Sequence, residues 1–215
     1  MHKTRRTLSV MLLAILLVLQ AVLCTACGGK PSVEELYDRV VELVEESYAV
    51  NTVLFGAGIP VYDKNDEGTR LLRLYGGQEE YLAYEYVREE SRFYFPEHIR
   101  DAAERVYSRE YLKSVYTSIF DGIRSPETGV TLFARYLENG ERNGALSQSL
   151  VAEGLTLTPR IYRYSTMRVE SGSRNDYALV TMETYLPGDA TPEITEVTLS
   201  LVKQNGAWYL NAPTY

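Results

Sequence analysis

At 215 residues, with 45% hydrophobic side chains, the chain is long enough to bury a core of its own, and 29 acidic against 22 basic side chains give a formal charge of −7. That balance excludes nucleic acid as a natural partner, because affinity for a phosphate backbone rests on positive charge. Two histidines and two cysteines leave little material for histidine-based catalysis or a disulfide framework.

The first residues carry His2, Lys3, Arg5 and Arg6 and no acid, and an apolar run from Leu8 to Leu23 follows, interrupted by Ser9 and Gln20. A positive start, an apolar stretch and then small residues read as an export leader. The run is about sixteen residues, short of the roughly twenty that a spanning helix needs. The adjacent arginines in "TRRTLS" are explained as the charged start of an ordinary leader rather than as a twin-arginine address. The only cysteines stand as Cys24-x-x-Cys27, a spacing open to three readings: a redox pair, half of a zinc site, or a lipid attachment point. A redox pair should open a helix after a strand, and a zinc pair needs a second pair of ligands; neither context surrounds these residues.

"LCTACGG" resembles the leaders of bacterial lipoproteins, in which small residues precede a cysteine that takes a diacylglycerol before signal peptidase II cuts. The resemblance implies a signal peptide over 1–26, lipidation of Cys27, a tether over 27–31 and a single domain over 32–215. Thr25 and Ala26 match the pattern, whereas Cys24 stands where leucine is usual. Two acyl chains suffice for stable anchoring, and Gly28-Gly29 supplies a flexible start. The expected address is the extracytoplasmic face of a bacterial cell membrane, with the membrane engaged through the lipid on Cys27. Losing 26 residues that hold three basic and no acidic side chains takes the charge from −7 to −10. Such a domain is repelled by an anionic surface and has no disulfide to hold it.

"SVEELYDRVVELVEESY" opens with a capping box, Ser32 and Glu35, and spaces Val33, Leu36, Val40, Leu43 and Val44 as one helix face. "TRLLRLY" and "EYLAYEYVRE" flank Gly76-Gly77 and suggest a hairpin. A helix begins at Pro96, breaks at Ser108, which can cap a second helix, and stops at Gly122. In that second helix Tyr111, Leu112, Val115, Tyr116, Ile119 and Phe120 form a stripe. "VTLFARYL" reads as a strand and "NGERNG" as a turn cluster, while 145–159 supports no assignment. The strands "RIYRYSTMRVE", "DYALVTMETYL", "EITEVTLSLVKQ" and "AWYLNAP" follow, the last two joined by Asn205-Gly206, a strong hairpin signal. The expected fold is α+β, with N-terminal helices packed on one face of a curved antiparallel sheet that ends in a C-terminal meander.

This order, with its ending "LSLVKQNGAWYLNAP", is similar to the cone-shaped domains named after nuclear transport factor two. "YLAYEYV", "ERVYSREYLKSVYTSIF" and the same ending also resemble secreted inhibitors of cell-wall DL-endopeptidases of Gram-positive bacteria. The first resemblance implies a small-molecule pocket pairing an acid with a tyrosine; the second implies a cell-wall enzyme or wall fragment as partner.

Candidate chemistry is sparse. His98, the one histidine after Cys27, falls in the first turn of a helix, where the dipole disfavours its charged form and solvent is expected; no G-x-S-x-G motif accompanies it. The doublets Glu34-Glu35, Glu45-Glu46, Glu79-Glu80 and Glu89-Glu90 point in diverging directions and read as solvated faces. Asp63-x-Asn65-x-Glu67-Gly68 imitates the start of a calcium loop, but Leu74 stands where the closing glutamate belongs. "FGAGIP" is no phosphate loop, since Pro60 and a mixed run follow where a helix should begin.

Tyrosine is the unusual feature, with 18 in the chain. Tyr84 and Tyr86 share a strand face with Leu82, and Tyr162 shares one with Tyr164; tyrosine suits a binding surface and equally suits the rim of a core. Glu85 falls on the face opposite Tyr84 and Tyr86. The expectation is a non-enzymatic binding or inhibitory module with Tyr84, Tyr86, Tyr162 and Tyr164 as ligand or partner residues and no catalytic set, metal or cofactor. The alternatives are a cone-fold small-molecule binding protein or enzyme, and a structural lipoprotein of an assembly.

Overall fold

The computed structural model describes residues 29–63, 84–124, 131–132, 134–149, 155–188 and 191–215. The leader with Cys24 and Cys27, the hairpin around Gly76-Gly77 and the calcium-like loop beyond Asp63 lie outside the described residues.

Helix α1 (Val33–Phe55) starts on the expected capping box: Ser32 Oγ accepts from the Glu35 N–H at 3.2 Å, and the Glu35 carboxylate accepts from the Ser32 N–H at 2.8 Å. Leu36, Val40, Leu43, Val44, Val50 and Leu54 form its buried stripe, and the polar Ser47 and Asn51 lie within that same stripe. Helix α2 (Pro96–Val106) packs on α1 through Ile99, Ala102, Ala103 and Val106. Ser108 ends it and caps helix α3 (Arg109–Tyr116), accepting from the Tyr111 N–H at 3.1 Å. A wider, π-type turn over Thr117–Asp121 follows, and Gly122 stops the chain with φ of 77°.

The strands are β1 (Tyr84–Tyr86), β2 (Ile123–Arg124), β3 (Thr131–Leu132), β4 (Tyr136–Asn139), β5 (Ala145–Ser149), β6 (Ile161–Tyr162), β7 (Arg168–Val169), β8 (Tyr177–Tyr185), β9 (Thr195–Gln204) and β10 (Ala207–Leu210). The C-terminal ones make an antiparallel sheet in the order β10-β9-β8-β6, with β7 also paired to β8. The pairs Ala178–Leu201, Val180–Leu199 and Leu201–Leu210 turn their side chains to the helices, where they join the hydrophobic core of the described residues. Asn205 and Gly206 take φ of 52° and 86° in the β9–β10 turn, the left-handed pair such a short hairpin requires. The α+β arrangement, helices first and meander last, is as the pattern of elements predicts.

Two expected strands are interrupted. The segment 160–170 becomes β6 and β7, because it holds more residues than β8 between the pairs Tyr162–Thr184 and Arg168–Thr181; a tight helical turn at Tyr164–Thr166 absorbs the surplus. Tyr162 and Tyr164 therefore do not share the face of one strand. "VTLFARYL" divides at Ala134-Arg135: Thr131–Leu132 pairs with β2, while Tyr136–Asn139 pairs with β5. There Arg135 turns to the end of α1, where its Nε donates to the Val53 carbonyl at 2.8 Å and its Nη2 to the Gly56 carbonyl. Helix α1 has no basic residue in its last turn, so the cation that complements its C-terminus comes from the bend before β4, 82 positions beyond Val53.

The strand that periodicity does not reveal is β5, the central member of a second sheet ordered β1-β5-β4. All five of its residues are buried, Ser147, Gln148 and Ser149 included, so it shows no alternation of apolar and polar positions.

Candidate functional site

Register fixes what each face of the small sheet carries. Glu85, Gln148 and Tyr136 lie opposite one another across β1, β5 and β4, and so share one face. The pairs Tyr84–Ser149 and Tyr86–Ser147–Leu137 occupy the other, which places Glu85 opposite the two tyrosines, as strand alternation requires.

On the first face Tyr136 donates its hydroxyl to the Val53 carbonyl at 2.7 Å, and burial pushes its pKa up to about 12. Gln148 accepts from the Ile59 N–H at 2.6 Å and donates to the Ala57 carbonyl at 3.3 Å. That contact needs Gly58: its φ is 89°, and a Cβ there would stand 2.0 Å from Gln148 Oε1. "FGAGIP" is thus a close-approach loop between α1 and β5. Glu85 is only 1% exposed. Glu85 thus shares a face of the sheet with the buried Gln148 and Tyr136.

The four tyrosines expected to form a binding surface are placed otherwise. Tyr84, Tyr86 and Tyr162 are 0%, 4% and 5% exposed, so they do not present a common exterior face. Tyr84 donates to the Ala134 carbonyl at 2.6 Å, and burial raises its pKa to about 12. Tyr162 donates to the Thr214 carbonyl at 2.9 Å, and burial raises its pKa as well. Only Tyr164 is half-exposed; its hydroxyl donates to Glu45 Oε1 at 2.6 Å, and burial, then the bond to Glu45, holds the phenol neutral. The physical reason is amphipathic: each ring carries enough apolar area to leave the surface, and the hydroxyls of Tyr84, Tyr162 and Tyr164 find a carbonyl or carboxylate. His98 is exposed in the first turn of α2, its ring edge-on to Phe95 at 5.4 Å.

A second polar interior lies between α1 and the C-terminal residues. The Tyr107 hydroxyl donates to Asn51 Oδ1 at 2.5 Å, and Asn51 Nδ2 donates to Thr214 Oγ1 at 2.8 Å. Thr214 and Ser47 share a bond of 2.6 Å, and Ser47 donates to the Val44 carbonyl at 2.7 Å. Since Ser47 spends its one proton on Val44, Thr214 is the donor to Ser47, and the chain runs in one direction. Four side chains from three distant segments are satisfied together. Two of them, Ser47 and Asn51, occupy α1 positions at which periodicity expects apolar residues.

No protein-family model matches the chain, and no curated protein matches it. Among the described residues, no group of three or more His, Cys, Asp and Glu side chains is placed to hold a metal ion, and no helix is long and apolar enough to cross a membrane.

Proposed function

We propose that the chain is an envelope lipoprotein, anchored through diacylglycerol on Cys27 to the extracytoplasmic face of a bacterial membrane, with a non-catalytic binding or inhibitory domain. The observation that carries this reading is "LCTACGG" after a basic and then apolar leader. The position of α1 supports it. From Cys27 to the helix cap at Ser32 the chain spans at most about 17 Å when extended, so the domain starts close to the lipid and needs no stalk. A net charge that grows more negative on cleavage suits a domain held beside, but not against, an anionic surface. The partner proposed is a cell-wall enzyme or wall fragment. Its contact is not assigned to Tyr84, Tyr86 and Tyr162, which are inside.

Mass spectrometry of the membrane-fraction protein should find an N-terminal Cys27 carrying diacylglycerol, and Cys27→Ala should leave an uncleaved precursor without the lipid mass. An unmodified Cys27 in the membrane fraction would sink the reading.

A second reading is kept because of Glu85, Gln148 and Tyr136: a cone-type small-molecule binding protein or enzyme in which a buried acid works beside a tyrosine. Turnover of a carbon acid that disappears in Glu85→Gln, with the fold retained, would favour it over the binding module.

A further inference from the structure

The face of the small sheet opposite Glu85 holds a set of donors that the fold leaves unused. Asn139, 6% exposed, ends β4 and caps the short helical turn Gly140–Arg142, its Oδ1 accepting from the Glu141 N–H at 2.9 Å. That bond fixes the orientation of the amide, so the free end is Nδ2, and Nδ2 is buried without a partner among the described residues. Ser147, 0% exposed, has its Oγ in the same condition. Arg142 has a third such donor, Nη1.

Three relations bring these donors together. Ser147 lies directly opposite Tyr86, and Asn139 follows two positions after Leu137, which also pairs with Ser147; all four side chains are on one face. Arg142 is the last residue of the short turn that Asn139 caps, three positions on, and its side chain returns to the sheet at Tyr86, the residue paired with Ser147. Its guanidinium lies 4.8 Å from the centre of the Tyr86 ring and 5.7 Å from that of Tyr62, and its Nη2 donates to Glu89 Oε1 at 2.9 Å. The two rings and the glutamate hold the guanidinium in place while Nη1 stays free to act.

We propose that this face is a carboxylate-binding site, with Arg142 Nη1, Asn139 Nδ2 and Ser147 Oγ as its donors. A buried donor without an acceptor is costly, and three on one face ask for a group that accepts several hydrogen bonds at once. A carboxylate accepts about four, an amide carbonyl two. Phosphate suits the site less well, because the one cation among the three donors already shares its charge with Glu89. The carboxylate belongs to a free small acid or to a peptide C-terminus. The inference deepens the binding-module reading by naming a ligand class.

The full chain in a mild detergent, labelled with nitrogen-15, is titrated with sodium acetate against sodium chloride at matched ionic strength, following the Asn139 side-chain amide and Arg142 Nε–H signals. Saturable shifts with acetate and absent with chloride are expected. N-acetyl-alanine should reproduce them if the site reads a peptide terminus and acetate alone if it reads small acids; N-acetyl-alaninamide should give none. Ser147→Ala, which removes a hydroxyl with no other partner among the described residues, should weaken acetate binding about fivefold, the loss of roughly one hydrogen bond. Arg142→Gln should abolish it while the amide spectrum stays dispersed. Shifts equal in chloride, an amide that binds as well as the acid, or an unchanged affinity in Ser147→Ala would each overturn the proposal. Loss of binding in a protein that still carries the lipid on Cys27 would count against the carboxylate site alone and leave the anchor standing.

Discussion

The protein has two polar interiors that solve the same problem in opposite ways. Between α1 and the C-terminal residues, Tyr107, Asn51, Thr214 and Ser47 pass hydrogen bonds along a chain that ends on the Val44 carbonyl. In the small sheet, Asn139, Arg142 and Ser147 are as well shielded from water at their donor atoms, yet those donors find no acceptor among the described residues. A satisfied network rigidifies a fold, whereas an unsatisfied one is a cost that function has to explain. The first region is therefore read as architecture and the second as a site.

Alkali should have the largest effect and should break both regions. Burial disfavours the phenolates of Tyr84 and Tyr136 of the small sheet and pushes their pKa values up to about 12, and Tyr107 of the closed network and Tyr162, which bonds the Thr214 carbonyl beside it, are shifted upward by the same cause. These tyrosines keep their protons longer in the folded than in the unfolded state, so their contribution is complete below pH 10, and that of Tyr84 and Tyr136 is lost as pH rises from 10 through about 12. The loss should reach on the order of 2 kcal/mol per buried tyrosine at pH 12. Absorbance of phenolate near 295 nm, followed together with circular dichroism, should show these rings ionising only as the protein unfolds. Early ionisation with the fold intact would show that they are accessible.

Next in size is Thr214→Val, which keeps the shape and removes the hydroxyl that joins Asn51 to Ser47. It should cost about 2–3 kcal/mol, since two buried polar groups lose their partner at once. Urea denaturation checks this, and an unchanged midpoint would mean that the C-terminal residues are not held as described. The smallest effects give the sharpest contrast. Ser47→Ala should cost about 1–2 kcal/mol because Thr214 loses its acceptor, while Ser147→Ala should be neutral or stabilise by up to about 1 kcal/mol. Equal losses at the two serines would erase the distinction between the regions.

Legibility in the sequence followed the range of the interactions. The capping box at Ser32, the break and recapping at Ser108, the stop at Gly122 and the Asn205-Gly206 turn were all readable, because each depends on residues within a few positions of one another. Strand β5 was not, because burial on both faces removes the alternation that identifies a strand. The tyrosines misled for a related reason. The residue type is equally at home on a binding surface and at the edge of a core, and only the distant carbonyls at Ala134 and Thr214 decide for the core.

The sequence by itself determined the class of the fold, the starts of the helices, the last hairpin and the expectation of a lipid anchor at Cys27, all of them set by local chemistry. The tertiary structure alone decided that Arg135 completes α1, that Gly58 makes room for Gln148, and that Asn139 and Ser147 share the sheet face on which Arg142 lies over the Tyr86 ring. Those relations join residues far apart in the chain, and they become visible only when strand register and helix packing have fixed which side chains meet.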